Sequence, residues 1–289
     1  LKASDEEHSS ALSWLRNSVG IYVLNLPQAV EKWKAIKARF NALGIEPTRL
    51  PGVDVSQPGA LEHAQDVGLV PSSWNYSKAR ENMLELMRHS NQKSVQHFLD
   101  IVGIGTVGCA AAHLRAQILA EQISDNQGKT LALIVEDDVW IQDDFAVKLQ
   151  RLLANEAPCD WDVISLTARC DYGKCISPHL SRVQPDGNEP EERCHNGVNW
   201  GMYGMLYRVS QIPKVHDILS QTIWNDTHVG CLPPDVAMSA ISDRIAYYSV
   251  PSSQQQSLLF EPDAAWWQSS RRVINERTPE ETMKAVKEM

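Results

Sequence analysis

The chain has 289 residues, enough for one large α/β domain or two small ones, and its 43% hydrophobic content supports an ordinary globular core. A formal net charge of −9, with no long basic run, argues against a nucleic-acid polymer as partner. No apolar stretch approaches the ~20 residues needed to cross a bilayer, so membrane attachment is expected only through an anchor outside this chain.

Residues 1–18 read as a polar lead-in that frays. Residues 19–26 are rich in β-branched side chains and form a strand that Pro27 stops. Val30, Trp33, Ile36, Phe40 and Leu43 then recur at helical spacing, with Gly44 as the closing residue. A short strand over residues 48–53 ends on Asp54, completing a β-α-β unit. Residues 56–102 read as helical and surface-facing, with His89 and His97 as surface residues. Three glycines in residues 103–108 allow a tight backbone approach to a ligand. No Gly-Lys-Ser/Thr follows them, so they are not a phosphate-binding loop. A helix over residues 107–122 turns Ala110, Ala111, Leu114, Ile118 and Leu119 inward. His113 and Arg115 lie near its start, where a helix end favours phosphate.

The chemistry concentrates at Leu131-Ala132-Leu133-Ile134-Val135-Glu136-Asp137-Asp138. The apolar run is too short for a helix core and reads as a strand buried on both faces. Three carboxylates follow at its carboxyl end, which in an open α/β sheet faces the ligand crevice. Their mutual repulsion calls for a divalent cation, and Mg²⁺ and Mn²⁺ take carboxylate and phosphate oxygens together. A solvated turn is the plainer alternative, and Asp143-Asp144 downstream reads as one, with Asp144 capping a helix over residues 145–153. A phosphoacceptor receiver domain shares the Ile-Val-Glu-Asp-Asp pattern. It needs an aspartate after the next strand, where this chain has Thr167-Ala168, and it has no place for 130 preceding residues.

A strand over residues 161–166 leads into a polar, cysteine-bearing excursion over residues 169–199. Cys170, Cys175, Cys194 and His195 match no common zinc spacing, so disulfides or free thiols are expected there. An aromatic-rich strand (200–207), a helix (210–220), Pro233-Pro234-Asp235 before a helical turn (236–242) and a last strand (245–250) follow. The tail is polar apart from Trp266-Trp267. The expected organisation is a lead-in at 1–18, one domain at 19–260 and a tail at 261–289. The six cysteines and the sequons at Asn75 and Asn225 point to an endoplasmic reticulum or Golgi lumen. The alternative is a cytoplasmic protein with reduced thiols. Cys109 is expected to be a buried free thiol and Cys170 to pair with Cys175.

Four blocks together carry a resemblance. They are Ile21-Tyr22-Val23-Leu24-Asn25-Leu26 with Pro51-Gly52-Val53-Asp54; Gly105-Thr106-Val107-Gly108-Cys109-Ala110-Ala111-Ala112-His113-Leu114-Arg115; Leu133-Ile134-Val135-Glu136-Asp137-Asp138 through Phe145; and Pro234-Asp235. In this order they resemble glycosyltransferase family 25, the lipopolysaccharide-biosynthesis and procollagen galactosyltransferases. The resemblance implies a GT-A-type α/β fold, a single mixed sheet with helices on both faces that binds a nucleotide-diphosphate sugar. It also implies a UDP-hexose donor, UDP-galactose most often or else UDP-glucose, a glycan or protein acceptor, and inversion at the sugar. Carried onto this chain, Asn25, Leu26, Pro27 and Asp54 border the uridine. Glu136, Asp137 and Asp138 stand at the metal motif, with Asp138 the direct ligand for Mn²⁺ or Mg²⁺ and Glu136 beside it. His113 and Arg115 reach the phosphates. Asp235 matches a late acidic block, as general base, helix cap or sugar-binding residue. The chain departs from the family pattern at Val55, Ala112, Val236 and the region of Lys32, Trp33 and Lys34. The competing class is a non-catalytic GT-A-like protein that binds a glycan or nucleotide.

Overall fold

Apolar side chains that alternate across buried strands decide the architecture, because each strand must then be covered on both faces. The computed structural model describes residues 3–89, 102–168, 173–185, 187–188, 193–194, 201–251 and 260–262. In chain order the elements begin α1 (Asp5–Ser18), β1 (Val19–Asn25), α2 (Val30–Ala42), β2 (Thr48–Pro51), α3 (Ala60–Asp66) and α4 (Tyr76–His89). The middle holds α5 (Ile104–Asn126), β3 (Leu131–Glu136), β4 (Val139–Ile141), α6 (Phe145–Asn155), β5 (Val163–Ala168), β6 (Lys174–Ser177) and β7 (Leu180–Arg182). The chain continues through β8 (Gly204–Arg208), α7 (Ile212–Ile223), α8 (Pro234–Ala240), β9 (Tyr247–Pro251) and β10 (Phe260–Pro262).

Eight strands form one sheet in the order β2-β1-β3-β8-β5-β9-β7-β6, and β10 pairs with β4 separately. β1 runs parallel to β2 and β3, and β5 parallel to β9. β8 lies antiparallel between β3 and β5, and β7 antiparallel to β9 and β6. Val19, Ile21 and Val23 of β1, with Leu133 and Val135 of β3, pack against Leu15 of α1, Phe40 of α2 and Leu149 of α6. Tyr22, Leu24, Ala132 and Ile134 face the other way, into a core with Leu114 of α5, Leu219 of α7 and Met238 of α8. The single mixed α/β sheet with helices on both faces is thus the one that the resemblance implied.

Three local expectations are corrected. The supposed lead-in is α1, started by Ser4, whose Oγ accepts from Glu7 N at 3.2 Å. Its Ala11 and Leu15 are buried, and Arg16 donates to the Gly44 carbonyl at 2.6 and 3.0 Å, tying α1 to the end of α2. Two apolar residues in a polar stretch are a faint signal, and packing decides. The segment 56–102 is not merely surface-facing, since Val70, Trp74, Met83 and Val102 are buried in the core around α5. His97 and the rest of 90–101 lie outside the described residues, as do Cys170, His195, Trp200, Trp266 and Trp267. The glycine-rich stretch belongs to α5, which starts at Ile104 and runs to Asn126, beyond both expected ends.

Gly108 serves a close approach between protein elements. A Cβ there would meet the Val53 carbonyl oxygen at 2.6 Å, so α5 lies directly against the loop that carries Asp54. Gly105, one turn earlier, has open space around it. Gly108→Ala is therefore expected to destabilise the protein by about 1–3 kcal/mol through overpacking. Gly105→Ala should be neutral or gain up to ~1 kcal/mol from helix propensity. Urea unfolding of both variants checks this; equal effects would show that the α5–loop approach is not a constraint.

Candidate active site

Because β1, β2 and β3 are mutually parallel, their carboxyl ends open on one edge of the sheet, where a ligand crevice is expected. A cleft of about 430 Å³ lies there. Leu24, Leu26, Ala29 and Val53 give it apolar walls, and Ile104, Gly105 and Gly108 bring in the first turns of α5. Lys32, Asp54, Cys109, His113, Glu136, Asp137 and Asp138 supply its ionisable groups. A larger groove of about 800 Å³ between α1 and α6 is lined by His8, Asp144, Lys148, Arg151, Glu156 and His179. Much of its charge is paired, Lys148 with Asp144, Arg151 with Glu7 and His179 with Glu156. It lacks the converging strand ends, so the smaller cleft is the candidate site.

The three acids of the triplet have different neighbours. Asp137 accepts from Asn25 Nδ2 at 2.6 Å and pairs with Lys32 Nζ at 3.2 Å. Asn25 is only 2% exposed; its Nδ2 also donates to the Ala29 carbonyl at 3.1 Å, and its Oδ1 accepts from Arg49 Nε at 2.9 Å. Arg49 Nη2 donates onward to the carbonyls of Leu26 and Pro27, at 3.0 and 3.1 Å. Glu136 Oε1 lies 3.1 Å from Nε2 of buried His113. Asp138 differs from both: its Oδ1 is buried and has no hydrogen-bond partner among the described residues. Burial and then repulsion from Glu136 push the Asp138 carboxyl up to about 6, Lys32 opposing and Asp137 adding to the rise. An orphaned oxygen beside a second carboxylate is a fitting place for a hard divalent cation.

Asp54 sits exposed at the rim, accepting from Ser56 Oγ at 2.6 Å, Ser56 N at 3.0 Å and Gln28 Nε2 at 2.7 Å. Those bonds, the Ser56 hydroxyl's above all, hold its carboxyl below the usual range. Leu26 lines the cleft, whereas Pro27 contributes its carbonyl to Arg49. Arg115 is not among the lining residues; it lies about 16 Å along α5 from the helix start, counting 1.5 Å per residue. His113, two residues earlier on the same helix, does line the cleft.

Asp235 lies in the first turn of α8, whose N-cap position is Pro233, so it is not the amino cap. Its Oδ2 accepts from Gly201 N at 2.8 Å and its Oδ1 from Val236 N at 2.9 Å. Burial raises its carboxyl above the ordinary value, those two backbone bonds hold it down, and the charge of Glu136 adds to the rise. Asp235 is therefore electrostatically in reach of Glu136, although it stands outside the cleft lining.

The cysteines divide differently from the expectation. Cys109 is free, as expected, but exposed and opening on the cleft. Crowding of its sulfur by protein, then the charges of Glu136 and Asp235, push the thiol well above its ordinary value. Cys175 is a free thiol 3.6 Å from Ser181 Oγ, so the expected bridge to Cys170 is not made. Cys194 instead joins Cys231, with Cα atoms 4.8 Å apart, which also removes Cys194 as a metal ligand. Asp144 occupies the N-cap position of α6 but makes no side-chain cap; its carboxylate pairs with Lys148 at 2.9 Å.

Sequence reasoning missed Lys32 and Arg49 as organisers of the cleft. Neither has a local signal, since their partners are 105 and 24 residues away. It also treated Asp137 and Asn25 as donor-binding; in the fold they bond to each other, Asn25 further to Ala29 and Arg49 and Asp137 further to Lys32.

A cleft at the carboxyl edge of a mixed eight-strand α/β sheet agrees with a GT-A-type α/β fold. Residues 19–183, more than half of the chain, match the model of glycosyltransferase family 25 (LPS biosynthesis protein), and the chain belongs to that family. No curated protein in the comparison matches the chain. It is thus a glycosyltransferase-family protein, with a sugar donor and a glycan acceptor as the family's partners.

The strained state of Asp138 gives a stability prediction. Its folded value of about 6 exceeds the ordinary 3.8, so between these pH values the folded state keeps a proton that the unfolded state releases. Stability at this group falls as pH rises through that window, and the penalty is complete above it. Asp138→Asn should therefore stabilise the protein by about 1–2 kcal/mol at pH 7.5, allowing for solvent screening, and by nothing near pH 4. Melting curves of both proteins across pH 4–8 test it; a pH-independent difference would sink the account.

Proposed function

We propose that the chain is a metal-dependent, inverting hexosyltransferase that moves a hexose, galactose in the first place, from a UDP-sugar to a hydroxyl of a glycan or protein. The observation that carries this reading is the buried Asp138 Oδ1, without a hydrogen-bond partner among the described residues, at the carboxyl edge of β1, β2 and β3. Four carboxylates against Lys32 make the cleft acidic, so a diphosphate would be repelled without a divalent cation. Asp138, with Glu136 beside it, would hold Mn²⁺ or Mg²⁺, and the ion when bound would neutralise the departing diphosphate as a Lewis acid.

The remaining roles belong to the chain itself. Leu26 and Val53 offer an apolar bed for the uracil, with the Asn25 and Asp54 loops at its edge. The first turn of α5 presents N–H groups toward the cleft, and its dipole favours phosphate. Asp235 takes the acceptor hydroxyl's proton as general base; two backbone N–H bonds hold its carboxylate in place, and its raised basicity suits that task. Calorimetry with UDP and Mn²⁺ should show binding that Asp138→Ala abolishes; unchanged affinity with and without the metal would retire the metal site. Asp235→Asn turns an amide NH₂ toward one of two N–H donors, so a modest loss of melting temperature is expected. Turnover should fall by roughly 10²–10⁴-fold while donor affinity holds. Transfer within tenfold of wild type would remove Asp235 as the base.

No described helix is long and apolar enough to cross a membrane. A secretory lumen is the proposed compartment, supported by the Cys194–Cys231 disulfide and the sequons. Trp74 and Trp224 meet edge to face at 5.1 Å, which sets the Asn75 and Asn225 sequons side by side. The Oδ1 atoms of Asn75 and Asn225 accept from Lys78 N and Thr227 N, bonds that an N-linked glycan on Nδ2 leaves intact. Expressed behind a secretion signal in eukaryotic cells, the chain should carry a glycan at Asn75, lost in Asn75→Gln. A secreted, disulfide-bonded but unglycosylated product would contradict the lumenal reading.

A further inference from the structure

Cys109 and His113 lie four residues apart on α5 and so share one face, and Glu136 comes to meet them from the end of β3. One ligand atom from each, the Cys109 sulfur, a His113 nitrogen and a Glu136 oxygen, lies within 4.8 Å of the others. Tetrahedral zinc holds such atoms at about 2.0–2.3 Å, which places ligand pairs roughly 3.3–3.7 Å apart. The His113–Glu136 edge, at 3.1 Å, is close to that spacing, and the sulfur needs to move by about an ångström.

We infer that Cys109, His113 and Glu136 form a Zn²⁺-binding site in the cleft, which shares Glu136 with the hard-cation place at Asp138 but differs from it in its thiolate and imidazole donors. A thiolate and a carboxylate balance the double charge of the ion, and imidazole supplies a neutral third ligand. Thiolate and imidazole select zinc over Mn²⁺ and Mg²⁺, which prefer all-oxygen surroundings. His113 is 3% exposed, so its ring is already held against Glu136, and little ordering cost falls on the ion. Cys109 opens on the cleft, which gives the ion a path in and leaves a fourth position for water or a ligand oxygen. The site stands on these three side chains and does not require that the proposed donor or metal at Asp138 be correct.

The test uses the full chain with its Cys194–Cys231 disulfide intact and freed of metal, with Co²⁺ alone as a spectroscopic stand-in and Zn²⁺ alone in calorimetry. The wild type should develop a thiolate-to-Co²⁺ charge-transfer band with tetrahedral visible bands, and Zn²⁺ should abolish both. Cys109→Ser, a near-isosteric change at an exposed residue, should lose the thiolate band and bind Zn²⁺ at least tenfold more weakly. Cys175→Ser, at an exposed thiol elsewhere, should keep both signals. Absence of a thiolate band in the wild type, its persistence in Cys109→Ser, or its loss in Cys175→Ser would overturn the site. Asp138→Ala should leave the Zn²⁺ titration unchanged, so failure of the Mn²⁺ reading and failure of this one are separate results.

Discussion

Asn25 is the joint on which the cleft depends. Its amide donates to Asp137 beyond β3 and accepts from Arg49 on β2, while its backbone ends β1. Three parallel strand ends are thereby bound through one buried side chain. Arg49 extends the bond to the carbonyls of Leu26 and Pro27, and Lys32 closes it from α2 onto Asp137. Each polar group has partners, which a buried network needs if it is to specify one arrangement rather than cost stability.

That arrangement separates the acidic triplet by role. Glu136 is the last residue of β3 and Asp137 and Asp138 form the turn to β4, so each carboxylate meets different neighbours, and the middle acid anchors the frame. Glu136 turns to His113, and among the described residues Asp138 is left with an unpartnered oxygen. Burial and the like charges around Asp138 make its ionised form costly in the fold. On the other side, Gly108 lets α5 approach the Asp54 loop, so cleft width follows from the missing side chain.

The disulfide and α8 extend the same logic to Asp235. Cys194–Cys231 fastens the polar excursion just before Pro233 and Pro234, and Gly201, just past that excursion, donates to Asp235. The late acidic residue is thus held from two directions by backbone, and it reaches Glu136 through its charge.

The sequence by itself determined the strands and their faces, because β1 and β3 carry unbroken apolar runs that only a doubly covered sheet can bury. It also marked the Glu136-Asp137-Asp138 edge, since charge following such a run must emerge at a strand end. It was silent where the signal is a contact between distant residues. α1 looked like a loose lead-in because its two buried residues, Ala11 and Leu15, mean nothing without the sheet beneath them. Arg115 and His113 lie two residues apart in sequence, yet only His113 lines the cleft, because helix rotation turns the two side chains to different faces. Cys194 could have paired with any cysteine, and the fold alone brought it to Cys231. Which acid anchors the frame, which keeps a hydrogen-bond-free oxygen among the described residues and which thiol opens on the cleft are matters of three-dimensional proximity, settled by packing rather than by residue type.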